Sequence, residues 1–549
     1  MRVVEKAVHI GMEFRMGQNS YDYIIVGAGS AGCVLANRLT ASGKYNVLLL
    51  EAGGEDRNPW IHIPIGYGRS FSNPNVNWMY SSEPGNDWVK RRIQQPRGKV
   101  LGGSSSINGL IYMRGQKQDY EHWRQLGNTG WGYEQVLHYF KKSEDQENGA
   151  GEFHGAGGPL TVSDPRETHP MADAYIQAAI DSGYKLNNDF NGAEQEGFGY
   201  QQWTTRNGRR CSAAVGFLNP ARKRKNLTVV TKAHTNRIIF NGLRAESVEY
   251  EWRGQIKNVL ANREIIIATG AYNSPQLLQL SGIGPADHLS DLGIKVVLDK
   301  KSVGKNLQDH FNAPLMFELN KNFTVNDVLN QWVPKIKHGL RYLFQRRGLL
   351  SMGVAYAGGY IKAHPDTVSP DIQNLLMLFT SELIGGQVDP FPGCASVVAL
   401  LRPESRGIVN ISSADAKLPP KIMYNFLTAA KDRETLILGV KKVREIMSQQ
   451  SISRYIVREI RPGSESNRDE DILDFLEKSG RTSYHPVGTC RMGSDDEAVV
   501  DPRLRVKGIQ SLRVVDASIM PTLVSGNTNA PVIMIGEKAS DMILEDAVG

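Results

Sequence analysis

The sequence predicts an α/β fold, and three features of the 549-residue chain support this prediction. Near the N-terminus a strand, a glycine-rich turn, a helix and a second strand follow one another within about thirty residues. A strand that ends in an acid returns near the C-terminus, at Leu512 to Asp516. Between residues 311 and 480, longer amphipathic helices and separate strand pieces replace this βαβ order. Because the chain is longer than one core normally supports, we expect two domains, and the late return of the pattern allows them to be interleaved.

The stretch from Tyr21 to Glu51 is typical of a dinucleotide site. Tyr21 to Val26 is an apolar run, as expected of a strand that is buried on both faces. A complete GxGxxG pattern follows and provides a tight turn and a close approach to a pyrophosphate, through Gly27, Gly29, Ser30, Ala31 and Gly32. Glu51 ends the next strand 24 residues after Gly27, close to where an acid meets a ribose hydroxyl pair. The order of these elements favours a dinucleotide site over a βαβ turn that binds nothing.

A second glycine-rich turn lies between Pro96 and Gly115. Gly102 and Gly103 precede three serines, and Asn108 follows them. Such a turn is rich in N–H and hydroxyl donors, which predicts a second contact with the cofactor. A helix start capped by one of the serines explains the same residues equally well.

The remaining elements are predicted from periodicity and from proline and glycine signals. The predicted strands are 227–231, 237–240, 263–270 with a closing glycine, 395–401 and 407–412. The predicted helices are 119–142, a helix that begins at Pro275 and ends at Leu280, 429–449, 470–479, and a final helix that begins at Pro531. Residues 1–20 lack the apolar core of a signal peptide, and we expect them to be an unstructured extension.

Composition excludes several classes of protein. The net charge of +7 is small for this length, so we expect no nucleic-acid partner, although it is compatible with peripheral contact with an anionic membrane. No apolar run approaches the ~20 residues that span a bilayer. The four cysteines lie far apart, which predicts neither a metal site nor a disulfide framework and favours a reducing, cytoplasmic location.

Four motifs together resemble the glucose–methanol–choline (GMC) oxidoreductase family, over nearly all of residues 21–545. They are the GxGxxG turn with Glu51, the segment from Pro96 to Gly115, the segment from Gly270 to Gly284, and the stretch from His485 to Ile543. The overall likeness is to the choline-dehydrogenase-like and alcohol dehydrogenase branches. The resemblance implies a doubly wound, Rossmann-like FAD-binding domain, interleaved with a substrate domain of antiparallel sheet and helices. We expect the FAD domain at 21–160, at 161–310 in a mixed segment and again at 481–549, with the substrate domain at 311–480.

The resemblance also implies which residues hold the cofactor, and it implies FAD rather than NAD. Besides the glycine turn and Glu51, they are Ala52, Arg97, Gly98, Gly103, Asn108, Gly109, Thr235, Asp516, Ala517, Asn529 and Ala530. Some family members attach FAD covalently through a histidine, but Ile107 stands at the matching position here. Since isoleucine has no nucleophile, we predict noncovalent FAD.

Oxidation of an alcohol requires a base for the hydroxyl proton and an acceptor for the hydride, which the flavin supplies at N5. Histidine suits the base at neutral pH, and His485 lies in a glycine-rich turn. From the residues alone a structural histidine is the commoner explanation; the resemblance assigns His485 as the catalytic base. It also assigns a second active-site residue to Asn527, 42 residues later, with Asn529 as the alternative. Other histidines, among them His310, have no chemical companion in the sequence, and we expect them to be surface or packing residues.

The prediction is therefore an FAD-dependent dehydrogenase or oxidase that converts an alcohol into an aldehyde or ketone. The partners are a small alcohol and an electron acceptor, which is oxygen, a quinone or another carrier. Two alternatives stay open: a non-redox lyase that keeps FAD, as in the hydroxynitrile lyases of the family, and an NAD-linked dehydrogenase.

Overall fold

A computed structural model describes residues 19–382 and 385–548. The predicted N-terminal extension lies outside these residues except for its last two, and Ser20 already belongs to the first strand. Among the described residues, no helix is both long enough and apolar enough to cross a membrane.

Three sheets of three or more strands organise the described chain. Their strands are β1 (Ser20–Val26), β2 (Val47–Glu51), β3 (Gly197–Tyr200), β4 (Leu227–Thr231), β5 (Ala233–Asn241), β6 (Arg244–Trp252), β7 (Gln255–Ile267), β8 (Lys305–Leu307), β9 (Phe311–Leu319), β10 (Ala357–Ile361), β11 (Ile372–Met377), β12 (Gly393–Leu400), β13 (Gly407–Asn410), β14 (Lys421–Met423), β15 (Ile456–Arg461), β16 (Arg481–Thr482) and β17 (Leu512–Val514). The longer helices are α1 (Ser30–Leu39), α2 (Lys117–Gln125), α3 (Tyr133–Ser143), α4 (Pro170–Asp181), α5 (Gly270–Leu280), α6 (Trp332–Gln345), α7 (Ala430–Ser448), α8 (Asp469–Ser479) and α9 (Asn529–Asp546).

The first sheet is parallel around β1. Its order is β4-β2-β1-β7-β6-β5, and β17 pairs with the C-terminal part of β7. The pairs of β1 with β2 and β7, of β2 with β4 and of β7 with β17 are parallel, whereas β5, β6 and the first half of β7 are antiparallel. The carboxyl ends of β1, β2, β7 and β17 therefore meet at one edge, where open α/β sheets bind ligands.

The second sheet is antiparallel throughout. Its order is β15-β9-β12-β11-β10-β3, and β16 pairs with the start of β9. Helix α7 covers one of its faces: a Cβ on Gly439 would lie 2.8 Å from Val398 Cγ1, so the helix approaches the sheet closely. The opposite face is free to line a cavity. The predicted domain boundaries at 160, 310 and 480 stay predictions.

The two ends of the chain pack against each other. A Cβ on Gly536 of α9 would lie 3.1 Å from Val34 Cβ of α1, so glycine lets the two helices touch. Arg38 donates to both carboxylate oxygens of the fully buried Glu537, at 2.8 and 2.6 Å. A bidentate pair of this kind fixes the geometry between the helices as well as neutralising the buried charge.

Three predicted helices differ from the structure. The single helix 119–142 is wrong: two helices are present, separated by a turn in which Gly127 and Gly130 have positive φ. Helix α5 begins at Gly270, five residues before the predicted start at Pro275. Proline leaves the Ala271 carbonyl without its helical donor, and the Thr489 hydroxyl donates to that oxygen at 2.7 Å. The final helix begins at Asn529, so Pro531 lies within its first turn, where no N–H is needed.

Candidate active site

A large cavity lies between the carboxyl edge of the parallel sheet and the free face of the antiparallel sheet. One end is lined by the glycine turn after β1 and by the segment after β17. The other end is lined by alternate residues of β9, β11 and β12 together with His485 and Asn527. We call these the nucleotide end and the substrate end.

Glycines, which have no side chain, shape the nucleotide end. Gly27 has φ +99°, and a Cβ there would lie 2.6 Å from the Ala268 carbonyl oxygen. A Cβ on Gly32 would lie 1.9 Å from the Gly27 oxygen, so this glycine lets helix α1 pack on the turn. Gly29 lines the cavity, and its nearest neighbour to such a Cβ is 3.8 Å away. A ligand can therefore approach the backbone at Gly29, as a pyrophosphate requires.

Glu51 lies at the end of β2 with both carboxylate oxygens in use. Ala28 N–H donates to Oε2 at 2.8 Å and Gly53 N–H donates to Oε1 at 2.7 Å. Burial raises the pKa of Glu51 to about 7, although these two donors oppose the rise. Each oxygen keeps a second lone pair, so the side chain can still accept hydrogen bonds from a ribose in the cavity.

The second glycine turn packs directly against the first. A Cβ on Gly103 would lie 2.7 Å from the Gly29 Cα, so two backbones meet there. Gly103–Ser106 is a short 3-10 helix with no side-chain cap. The serines bond within the turn instead: Ser105 and Ser106 hydroxyls donate to the Gly102 and Leu101 carbonyls, at 2.6 and 2.7 Å. The capped-helix alternative is therefore wrong for these serines, and the turn lines the cavity.

The C-terminal segment joins the nucleotide end from the other side. Asp516 Oδ2 accepts from Gly270 N–H at 2.8 Å, which caps α5, and Oδ1 accepts from Ser518 N–H at 2.8 Å. The Ser30 hydroxyl donates to Asn529 Oδ1 at 2.9 Å, across 499 residues of sequence. The glycine turn and the start of α9 therefore form one wall.

Nearly all the predicted cofactor residues line this one cavity. Those that do are Gly27, Gly29, Ser30, Ala31, Glu51, Ala52, Arg97, Gly98, Gly103, Asn108, Gly109, Thr235, Asp516, Ala517 and Asn529, whereas Gly32 and Ala530 do not line it. The Thr235 hydroxyl is buried in the wall with no hydrogen-bond partner in the described chain. A buried hydroxyl without a partner is costly, and a hydroxyl- or phosphate-bearing ligand would satisfy it. The residues present therefore fit FAD.

At the substrate end, His485 is half-buried and touches two side chains through its ring. Its Nδ1 lies 3.0 Å from His310 Nδ1, and its Nε2 lies 3.1 Å from Asn527 Nδ2. Burial, with smaller contributions from His310 and Arg97, lowers the pKa of His485 well below its usual value. The imidazole is therefore neutral at pH 7, the state in which it can accept a proton.

A chain of hydrogen bonds defines which nitrogen of His485 carries the lone pair. His310 Nε2 lies 3.0 Å from the Val524 carbonyl oxygen, which can only accept, so this nitrogen carries the proton. Burial lowers the pKa of His310 to about 4, so the ring is neutral and its Nδ1 is an acceptor. His485 Nδ1 must then donate to it. The lone pair of His485 lies on Nε2, beside Asn527 and the cavity.

Asn527 is oriented by a neighbour on the antiparallel sheet. Gln373 Nε2 donates to Asn527 Oδ1 at 3.2 Å and to the Tyr360 hydroxyl at 2.7 Å. With its oxygen engaged, the amide turns its N–H groups toward His485 and the cavity. By contrast, Asn529 contacts Ser30 at the nucleotide end.

The expectation that His310 lacks a chemical companion is wrong, because its buried ring contacts His485. Asp309, its neighbour in sequence, accepts from the His485 backbone N–H at 2.9 Å and from the Tyr424 hydroxyl at 3.1 Å. Burial raises the pKa of Asp309 to about 6. The pair of polar residues directly before β9 was the available signal, but 175 residues separate His310 from His485.

Comparisons with known proteins place the chain in a family. Residues 21–312 and 403–536 match the N- and C-terminal profiles of the GMC oxidoreductases. An alcohol dehydrogenase [acceptor] of Pseudomonas putida is 42% identical over 528 residues, which cover 95% of this chain and 96% of the relative. The mitochondrial choline dehydrogenase of Homo sapiens is 42% identical over 537 residues, covering 96% of this chain and 90% of the relative.

Solved structures agree with these relatives. Pyridoxine 4-oxidase from Mesorbium loti superposes with a TM-score of 0.85 at 32% identity, covering 95% of this chain and 98% of the other. Formate oxidase from Aspergillus oryzae, solved in a study of FAD modification, superposes with a TM-score of 0.90 at 26% identity, covering 96% of this chain and 98% of the other.

These findings confirm the predicted fold class, the predicted FAD and the predicted oxidation of a CH–OH group, and they do not favour the lyase or the NAD-linked alternative. The roles of individual site residues stay predictions. The chain belongs to the GMC oxidoreductase family and is an FAD-dependent enzyme that acts on CH–OH donors.

Proposed function

We propose that His485 takes the hydroxyl proton of the alcohol at Nε2 while Asn527 holds the alcohol oxygen. The observation that carries this proposal is the hydrogen-bond chain from Val524 through His310 to His485, which leaves the lone pair on Nε2. Once protonated at Nε2, His485 still donates from Nδ1 to the neutral His310, so the ring need not move during the proton transfer.

Asn527 provides the second proposed contact with the alcohol, a hydrogen bond to its oxygen. Its Oδ1 accepts from Gln373, so Nδ2 can donate to an oxygen that becomes more negative as the proton leaves. An amide does not compete with His485 for that proton. FAD, when bound, supplies the hydride acceptor.

We propose that FAD is bound without a covalent bond. Ile107 lines the cavity at the position where covalent relatives carry histidine, and it offers no nucleophile. The four cysteines are buried, and none of them lines the cavity. Acid precipitation of the protein should therefore release all the yellow colour into the supernatant.

The lining of the substrate end favours an apolar primary or aromatic alcohol. The alternate residues that strands β9, β11 and β12 turn toward it are mostly apolar: Pro314, Met316, Leu375, Met377, Ala395, Val397 and Ala399. Among the described residues, the carboxylates that line the cavity are Glu51 and Asp516, at the nucleotide end. Arg97 and Arg481 also line it. A quaternary ammonium is best held by a carboxylate together with aromatic rings. Phe71, Phe379 and Tyr484 supply rings to the cavity, but the two positive charges oppose the cation.

The proposal also covers the cellular location and the electron acceptor. The four free, buried cysteines support a reducing, cytoplasmic compartment, although one relative is named as mitochondrial. The acceptor is oxygen, a quinone or another carrier.

Anaerobic titration of the yellow protein tests the proposal. We expect medium-chain aliphatic and aromatic primary alcohols to bleach the flavin, and choline to do so weakly. Readmission of air then separates an oxidase, which recolours at once, from a dehydrogenase, which does not. Bleaching by choline alone would contradict the proposed substrate class, and bleaching by no alcohol would contradict the proposed reaction.

A further inference from the structure

Helix α6 presents apolar side chains to solvent along most of its length. Trp332, Val333 and Phe344 are 80%, 77% and 79% exposed. Ile336, Leu340 and Leu343 between them are exposed by half or more. Their spacing places them on a stripe along one side of the helix. In a surface helix such a stripe normally faces the core, and here it faces outward, so it marks an interaction surface.

The same helix and the two residues that follow it are basic. Residues 332–347 contain five lysines and arginines and no aspartate or glutamate. Lys335 and Lys337 are exposed, and Arg341 forms an ion pair with Glu167 at 2.5 Å. Long basic side chains beside an apolar stripe can reach anionic headgroups while their stems stay with the apolar surface.

The helix is held to the protein at both ends. Tyr342, its one buried residue, donates from its hydroxyl to the Gly208 carbonyl at 3.0 Å. On the other side, the short helix Val325–Asn330 precedes α6, and Asn326 bonds to both Thr380 N–H and Thr380 O, at 3.1 and 3.3 Å. The outward stripe therefore belongs to an anchored element.

We propose that α6 is a docking surface for an anionic lipid bilayer, on which the helix lies with its apolar stripe among the acyl chains. An apolar stripe with a basic flank is the composition of interfacial helices. A second copy of the chain is disfavoured, because face-to-face pairing would bring two basic segments together without acidic partners. Phe379 and Ser381, on either side of Thr380, line the cavity. Because Asn326 of the short helix before α6 bonds to Thr380, only that short helix would separate this wall of the cavity from the docked α6. This proposal does not depend on the proposed function.

Flotation of the FAD-loaded protein with lipid vesicles tests the proposal. We expect the protein to float with vesicles that contain phosphatidylglycerol and to float less with pure phosphatidylcholine. Trp332→Ser/Phe344→Ser should lower binding about tenfold or more, since two large apolar side chains leave the bilayer. Lys335→Gln/Lys337→Gln should lower binding about fivefold for each lysine at low salt.

Two matched variants control for these changes. Ile256→Ser/Val368→Ser removes exposed apolar side chains elsewhere. Lys223→Gln/Lys225→Gln removes the same charge from two exposed lysines in the basic run Arg222 to Lys225. Both should float like the unaltered protein, and all variants should keep their colour and their anaerobic reduction by alcohol without vesicles. The proposal is overturned if the unaltered protein binds no vesicles, if the controls lose binding equally, or if light scattering shows a dimer that Trp332→Ser/Phe344→Ser dissociates.

Discussion

The nucleotide end and the substrate end of the cavity are built in different ways. At the nucleotide end, backbone atoms make most of the contacts that shape the cavity. Gly29 and Gly103 meet where side chains would collide, and backbone N–H groups donate to Glu51. At the substrate end, side chains from distant segments meet, so that His485 contacts His310 and Asn527. The comparison suggests that the nucleotide end tolerates exchange of polar side chains better than added bulk, whereas the substrate end depends on the identity of each polar group.

The largest expected effect is at the substrate end. His485→Ala should slow anaerobic flavin reduction by about 10³-fold, because the proton has no positioned acceptor, while the protein keeps its FAD. Stopped-flow absorbance measures the rate, and His122→Ala, a change of an exposed histidine, is the control. Reduction by His485→Ala at the rate of the unaltered protein would remove the assigned base.

The paired asparagines sharpen the comparison, because each serves a different end. Asn527→Ala should lower the rate of reduction by about 10²-fold, since one donor to the developing negative charge is lost. Asn529→Ala breaks the contact with Ser30 and should mainly weaken FAD retention. Rates and FAD-to-protein absorbance ratios distinguish the two results, and the opposite pattern would exchange the proposed roles.

Added bulk should damage the nucleotide end. Gly103→Ala places a methyl group against Gly29 at a residue with φ +52°, and we expect FAD affinity to fall about tenfold or more. Gly54→Ala is the matched control, because a Cβ there meets nothing within 4 Å. Fluorescence titration of the apoprotein with FAD measures both. A melting temperature equal to that of the unaltered protein would show that a loss of affinity is local, and unchanged FAD affinity would contradict the role assigned to this backbone contact.

Removal of His310 tests whether it positions the base. His310→Ala removes the acceptor for His485 Nδ1. The imidazolium that forms as His485 takes the proton then lacks a hydrogen bond, so the rate of flavin reduction should fall about tenfold. His310→Asn keeps an acceptor for His485 Nδ1 and should restore part of the rate. An unchanged rate of flavin reduction in His310→Ala would leave His310 with a packing role.

The smallest expected effect concerns Glu51. Because burial raises its pKa to about 7 in the empty protein, the carboxylate predominates above that pH and is protonated below it. FAD affinity should therefore fall about fivefold from pH 8 to pH 6. Glu51→Gln should bind FAD more weakly and lose this pH dependence. Equal affinity of the unaltered apoprotein at both pH values would contradict the predicted ribose contact.

The sequence by itself determined one wall of the nucleotide end, from Tyr21 to Glu51, because the parts of that wall are neighbours along the chain. The strand, turn and helix up to Glu51 need only local backbone geometry to form, and the strand Leu227–Thr231 was predicted with the same bounds. Local signals failed where distant groups compensate: Pro275 lies inside a helix because Thr489 satisfies the carbonyl that the proline leaves free.

Only the tertiary structure decided the substrate end. The resemblance singled out His485 and Asn527, but nothing in the sequence relates either of them to His310 or Gln373. These residues meet because β9 and β11 belong to the antiparallel sheet that faces the C-terminal segment. Which nitrogen of His485 is free follows from the Val524 carbonyl at the far end of that chain of hydrogen bonds. Contacts between residues so far apart in sequence depend on packing, which local patterns do not encode.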